Sequence, residues 1–144
     1  MNAQSIKTGL AAGLGVAAIL LAGCASMHMN KNVNVSLSGA EQVPPVSTAA
    51  KGSGTFTVGE DRSVSGSVTV SGLSAQAAHI HVGARGANGP IAVGLTKSSD
   101  NLWVVPAGAK FTDEQYRSFL AGQTYVNFHT AANKGGEIRG QLQP

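Results

Sequence analysis

The chain contains 144 residues, of which 10 are basic and 7 are acidic, and it has a single cysteine. This charge balance is too even to predict a nucleic-acid or other polyanionic partner. With Cys24 as the one thiol, the sequence excludes an internal disulfide and a thiolate metal site. The 19 glycines and the low aromatic content favour many short strands joined by turns, which predicts a single all-β domain.

The N-terminal segment is typical of an export signal. Lys7 precedes an apolar run over residues 10–22, and the run leads into Leu21-Ala22-Gly23-Cys24, which resembles the lipobox of bacterial lipoproteins. The alternative is an uncleaved membrane-spanning helix, but the run is shorter than the roughly 20 apolar residues that a span needs. We therefore predict a lipoprotein signal peptide over residues 1–23 and lipidation of Cys24.

The residues after the predicted cleavage site bear on location. Lipid chains on Cys24 would hold the protein on a membrane of the cell envelope through a short stalk over residues 24–32. Ala25-Ser26 lacks the aspartate that retains lipoproteins at the inner membrane in enteric-type bacteria, so we expect the outer membrane. The stalk triplet Met27-His28-Met29 offers soft donors for copper, but most such triplets in stalks are accidental.

Apolar and polar residues alternate with a period of two along much of the remaining chain. Val33, Val35 and Leu37 alternate with polar residues and predict the first strand. Similar patterns predict strands over residues 54–58, 64–70, 78–82, 91–95, 103–105, 125–129 and 137–142, the first two forming a hairpin. Pro44 and Pro45 cannot donate ladder hydrogen bonds, so residues 43–46 are predicted to be a connecting segment.

One short helix is predicted to begin at Thr112. Thr112-Asp113-Glu114-Gln115 fits a capping box, and Tyr116, Phe119 and Leu120 fall on one apolar face. Gly122 is expected to end the helix after about ten residues.

The last two predicted strands form a hairpin whose register can be proposed. If Phe128 pairs with Ile138, then His129 lies opposite Glu137 and Asn127 lies opposite Arg139, all four on the polar face. Arg139 is then expected to form a strand-face ion pair with Glu137.

Five blocks in order along the chain carry a family resemblance: LSGAEQVPPV at 37–46, GSG at 52–54, AHIHVG at 78–83, YVNFHT at 125–130 and GGEIRGQL at 135–142. The sequence resembles the CHRD (chordin) domain over residues 33–144, in the form found in bacterial exported proteins. This resemblance implies an immunoglobulin-like or superoxide-dismutase-like antiparallel β-sandwich, in agreement with the all-β strand pattern and one short helix. Many bacterial members carry no assigned activity, so the resemblance speaks to fold more than to function.

Three histidines form the best candidate site. His79 and His81 are two apart on a predicted strand, so their imidazoles project from one face roughly 7 Å apart. His129 lies on the polar face of another predicted strand. Three neutral imidazoles suit copper or, less well, zinc, so we predict a metal site at His79, His81 and His129. Glu137 and Asn127 are predicted to orient the imidazoles through hydrogen bonds or to bind the ion directly.

Other functions remain open from the residues alone. The histidines are alternatively structural, hydrogen-bonded by the backbone or by neighbouring side chains to hold two strands together. His79-Ile80-His81 is similar to the copper-ligand strand of copper-zinc superoxide dismutases, but those enzymes need more histidines than the three after the stalk. We therefore expect a metal-binding protein and not an enzyme. The alternative is a structural or interaction module that docks another envelope protein without metal.

Overall fold

The computed structural model describes residues 29–144, which form nine strands and one α-helix. The strands are β1 (Lys31–Ser38), β2 (Lys51–Val58), β3 (Val64–Ser71), β4 (Ala75–Val82), β5 (Ile91–Gly94), β6 (Thr96–Lys97), β7 (Leu102–Val104), β8 (Thr124–Thr130) and β9 (Ile138–Leu142). The helix α1 spans Asp113–Leu120, and a 3-10 turn spans Gly39–Glu41. The predicted signal peptide, Cys24 and most of the stalk, including Met27 and His28, lie outside the described residues.

All strand pairs are antiparallel, and the order across the sheet is β5-β4-β8-β9-β1-β2-β3-β7-β6. The sheet curves back on itself. This is shown by Trp103 of β7, which packs edge-on against Phe128 of β8, with ring centroids 5.7 Å apart. Four other strands separate β7 from β8 in the sheet order. The predicted all-β fold is confirmed, and its strands form one nearly closed, barrel-like sheet around a single core.

The predicted alternation decides which side chains enter this core. Val33, Val35 and Leu37 are 2%, 5% and 1% exposed, while the residues between them face solvent. The hairpin of β2 and β3 is also confirmed, with Val58 paired to Val64 across its turn. Residues 43–46 lie outside the strands, as the two prolines predict.

Local signals define the helix α1. The Thr112 hydroxyl accepts from the Gln115 amide at 3.2 Å and the Gln115 side chain accepts from the Thr112 amide at 2.9 Å, so the predicted capping box is confirmed. Gly122 ends the helix with φ at 70° in a left-handed conformation. The helix has eight residues, shorter than the expected ten, and Leu120 at its last position is 46% exposed.

Across residues 29–144, no helix is long and apolar enough to cross a membrane.

Candidate metal site on the outer face of β4 and β8

The pairing of β4 with β8 brings the three histidines together. Ile80 pairs with Val126, and both side chains are fully buried in the core. The period of two then places His79, His81 and His129 on the opposite face of the sheet. This face is not fully solvated, because His81 is only 8% exposed and the other two histidines are half-buried.

The three imidazoles converge. One ring nitrogen from each of His79, His81 and His129 lies within 4.8 Å of the others. The closest approach joins Nδ1 of His79 to Nε2 of His129 at 3.1 Å. Two nitrogens bound tetrahedrally to one ion at about 2.0–2.1 Å are separated by about 3.3 Å, so the His79–His129 spacing already fits a shared ion.

Backbone carbonyls fix the tautomers of two of these imidazoles. Nδ1 of His81 lies 2.9 Å from the carbonyl oxygen of Gly89, and Nδ1 of His129 lies 2.9 Å from that of Lys134. A carbonyl oxygen only accepts hydrogen bonds, so each Nδ1 carries the proton and each Nε2 carries a lone pair. Metal-binding histidines are commonly held in this way by their second nitrogen.

The Nε2 atom of His81 is buried and has no hydrogen-bond partner in the structure. Buried polar atoms are almost always hydrogen-bonded, so an unpartnered lone pair at this position needs an explanation. A metal ion bound by His81 together with its two neighbours would provide one.

The local electrostatics favour the neutral form of His79 and His81. Burial lowers the pKa of His79 below its usual value, and the adjacent His129 and His81 lower it further. Burial is also the main cause that lowers the pKa of His81, and it outweighs the hydrogen bond to Gly89, which acts in the opposite direction. Neutral imidazoles are the form that binds metal.

Asn127 lies at the site, where the sequence predicts it. It pairs with His79 across the ladder and is 2% exposed. Its Nδ2 atom donates to the carbonyl of Gly135 at 3.5 Å, and its Oδ1 atom is buried without a partner. The nearby Asn127 side chain raises the pKa of His81 and so opposes the effect of burial. Asn127 is therefore placed to act on the histidine cluster.

Glu137 does not take the position expected of it. The predicted register holds for Phe128 with Ile138 and for Asn127 with Arg139, but the ladder ends there. The carboxylate of Glu137 accepts hydrogen bonds from the side chains of Thr48, Thr130 and Asn133, at 2.8, 2.7 and 3.3 Å. None of these three hydrogen bonds involves a histidine. The backbone carbonyl of Lys134 orients His129 instead.

Arg139 also differs from the expectation. Its side chain is 1% exposed and forms no ion pair with Glu137 within residues 29–144. The guanidinium carbon lies 3.5 Å from the centroid of the Tyr125 ring. Tyr125 in turn stacks on His81, with centroids 4.9 Å apart and an angle of 3° between the ring planes. Sequence reasoning did not single out Tyr125. It assigned Arg139 to the wrong contact, because nothing in the local pattern distinguishes a buried arginine from a strand-face one.

Most of the predicted stalk lies outside the described residues. Met29, the one residue of the Met27-His28-Met29 triplet within the structure, is 67% exposed.

Comparison with known families identifies the domain. The model of the CHRD domain family matches residues 33–142, which include the three histidines and every strand from β2 to β9. Comparisons with curated proteins and with solved structures give no match. Because the family match covers well over half of the sequence, the chain belongs to the CHRD domain family.

Proposed function

We propose that this CHRD domain binds one transition-metal ion, copper in preference to zinc, through His79, His81 and His129. The observation that supports the proposal is the convergence of three ring nitrogens within 4.8 Å, two of them with lone pairs aimed by backbone hydrogen bonds. Purely structural histidines would be expected to have both nitrogens hydrogen-bonded, whereas Nε2 of His81 has no partner.

The donor chemistry favours copper. The three ligands are neutral imidazoles, whose affinity for divalent first-row ions rises toward copper and falls again at zinc. Zinc is the second choice, since it also accepts three histidines with one further ligand.

We further propose that the domain works as a lipid-anchored protein of the cell envelope, with the outer membrane as its expected location. The lipobox-like Leu21-Ala22-Gly23-Cys24 supports this proposal. Only residues 25–30 separate Cys24 from β1, a reach of about 20 Å when fully extended, so the domain would be held close to the membrane surface.

Binding, rather than catalysis, is the proposed activity. Glu137 is the one acid that the sequence predicts beside the histidines, and its carboxylate accepts hydrogen bonds from Thr48, Thr130 and Asn133. Storage, buffering or delivery of the ion would need no acid or base at the site.

Calorimetric titration with copper and zinc tests the metal site. The protein should carry Met27→Leu, His28→Gln and Met29→Leu, which remove the stalk donors, and it should be compared with the same protein carrying His81→Ala. We expect one copper ion per chain, bound more tightly than zinc, and a loss of at least tenfold in affinity in the His81→Ala variant. Equal, weak binding by both proteins would reject the metal site.

A metal-free interaction module is the alternative function. Ile91 is 55% exposed and lies on β5, a strand at one edge of the sheet, where a partner could add a strand. Ile91→Lys should abolish any complex formed in this way and leave metal binding unchanged.

A further inference from the structure

Arg139 is a buried cation whose hydrogen bonds organise a loop. Its Nη1 donates to the carbonyl of Ala87 at 2.9 Å and to Oδ1 of Asn88 at 3.4 Å, and its Nη2 donates to the carbonyl of Ala84 at 3.0 Å. These acceptors are neutral, and burying a guanidinium without a carboxylate is costly. The planar guanidinium group of Arg139 therefore holds three oxygen atoms of one loop in place.

That loop, over residues 83–90, connects β4 to β5 and ends beside the metal site. Gln141, the next residue on the same face of β9, donates to the carbonyl of Gly83 at 2.8 Å. Gln141 thus holds the start of the loop, and Arg139 holds its middle. The end of the loop is Gly89, whose carbonyl is the acceptor for Nδ1 of His81.

Gly89 is held from a second side by Tyr125. Its backbone N–H donates to the Tyr125 hydroxyl at 3.2 Å. The Tyr125 ring contacts the guanidinium of Arg139 and is stacked against the imidazole of His81. The order β4-β8-β9 explains this arrangement, because it places Tyr125 between the strands that carry His81 and Arg139. One layer of side chains therefore links the loop, the stacked ring and the imidazole.

We propose that Arg139 and Tyr125 are positioning residues, which fix the carbonyl of Gly89 and thereby hold His81 as the Nδ1–H tautomer with Nε2 available as a ligand. The tautomer follows from contacts within the chain. Its consequence for metal affinity rests on the proposed function.

Nitrogen-15 NMR of the imidazoles in the metal-free protein, at a pH where they are neutral, tests the positioning role directly. We expect His81 of the unmodified protein to be the Nδ1–H tautomer, and to become a mixture of tautomers in Tyr125→Phe and in Arg139→Gln. Arg139→Lys should fail to restore the single tautomer, because an ammonium group cannot span the three loop oxygens as the guanidinium does.

Two matched variants serve as controls. Arg85→Gln removes a charge from the same loop at an exposed residue paired with Glu41, and Tyr116→Phe removes a hydroxyl from α1. Both should keep the tautomer of the unmodified protein. If Arg139→Gln does not fold, Tyr125→Phe decides the matter, since it removes only one hydroxyl group. An unchanged single tautomer in folded Tyr125→Phe would overturn the proposal.

Copper titration of the same variants gives the second readout. Loss of a group that orients a ligand typically costs 10–100-fold in metal affinity, and we expect a loss in this range for Tyr125→Phe. Failure of the unmodified protein to bind copper would reject the proposed function, while the NMR result would still decide whether Arg139 and Tyr125 set the tautomer.

Discussion

Nδ1 of His79 lies 3.1 Å from Nε2 of His129, although the two residues are 50 positions apart in the sequence. Because Nε2 of His129 carries a lone pair, the bond requires a proton on Nδ1 of His79 in the metal-free protein. A shared ion would replace this proton, so His79 must present a deprotonated Nδ1 when metal binds. Metal binding at this site would therefore be coupled to the position of a proton.

The pH dependence of copper affinity should reflect the lowered pKa values of His79 and His81. Both imidazoles have pKa values below 6.5, so protons compete with metal only in more acidic solution. We expect copper affinity to change little as pH falls from neutrality to about 6.5 and to weaken steeply below that value. Titrations at a series of pH values in a non-coordinating buffer measure the profile. A loss already complete at pH 6.5 would contradict it.

The metal-free protein should lose stability in the same acidic range. The unfolded chain binds protons on its histidines below about pH 6.5, whereas His79 and His81 resist protonation in the fold. The free energy of unfolding should therefore fall as pH drops below about 6.5 and level off below the folded pKa values. Denaturant unfolding at each pH measures this slope, and His79→Ala should make it shallower. An equal slope in both proteins would show that the histidine cluster is not its source.

Gly89→Ala should disrupt the acceptor for His81. A Cβ atom at this position would overlap the carbonyl oxygen of Val82, so the end of the loop must move. We expect lower thermal stability and a copper affinity reduced by about tenfold or more. Gly135→Ala is the control, because a Cβ there has no atom within 4 Å. Equal copper affinities in the two variants would argue against a role for the Gly89 carbonyl.

Glu137→Gln should separate stability from metal binding. The carboxylate joins Thr48, Thr130 and Asn133, and these hydrogen bonds hold the pKa of Glu137 below its usual value. Weakening them should cost on the order of 1 kcal/mol of unfolding free energy. Copper affinity should stay unchanged, since none of these partners is a histidine. A large drop in affinity with little change in stability would place Glu137 at the metal site after all.

Cys24→Ser tests the proposed anchor. A serine at this position has no thiol to lipidate, so the protein should leave the membrane fraction or accumulate as an unprocessed precursor. Labelling of cells with a radioactive fatty acid, followed by isolation of the protein, measures the modification. Undiminished labelling of the variant would rule out Cys24 as the lipidated residue.

The sequence by itself determined the parts of this protein that depend on neighbouring residues. Alternation of Val33, Val35 and Leu37 identified β1 because a strand with one buried face must repeat every two residues. The helix cap at Thr112 was readable because its two hydrogen bonds join residues three apart. For the same reason His79 and His81 were correctly placed on one face of one strand.

Only the tertiary structure decided how these parts meet. His129 reaches His79 because β4 pairs with β8, a long-range choice that local alternation does not specify. Glu137 was misassigned for a related reason: the expected register held, but the ladder stopped one residue before Glu137. Arg139 was misassigned because the loop over residues 83–90, distant in sequence, accepts its hydrogen bonds. The groups that orient His81 and His129 are backbone carbonyls, which every residue possesses. The path of the folded loops sets the position of these carbonyls, so no residue type in the sequence predicts it.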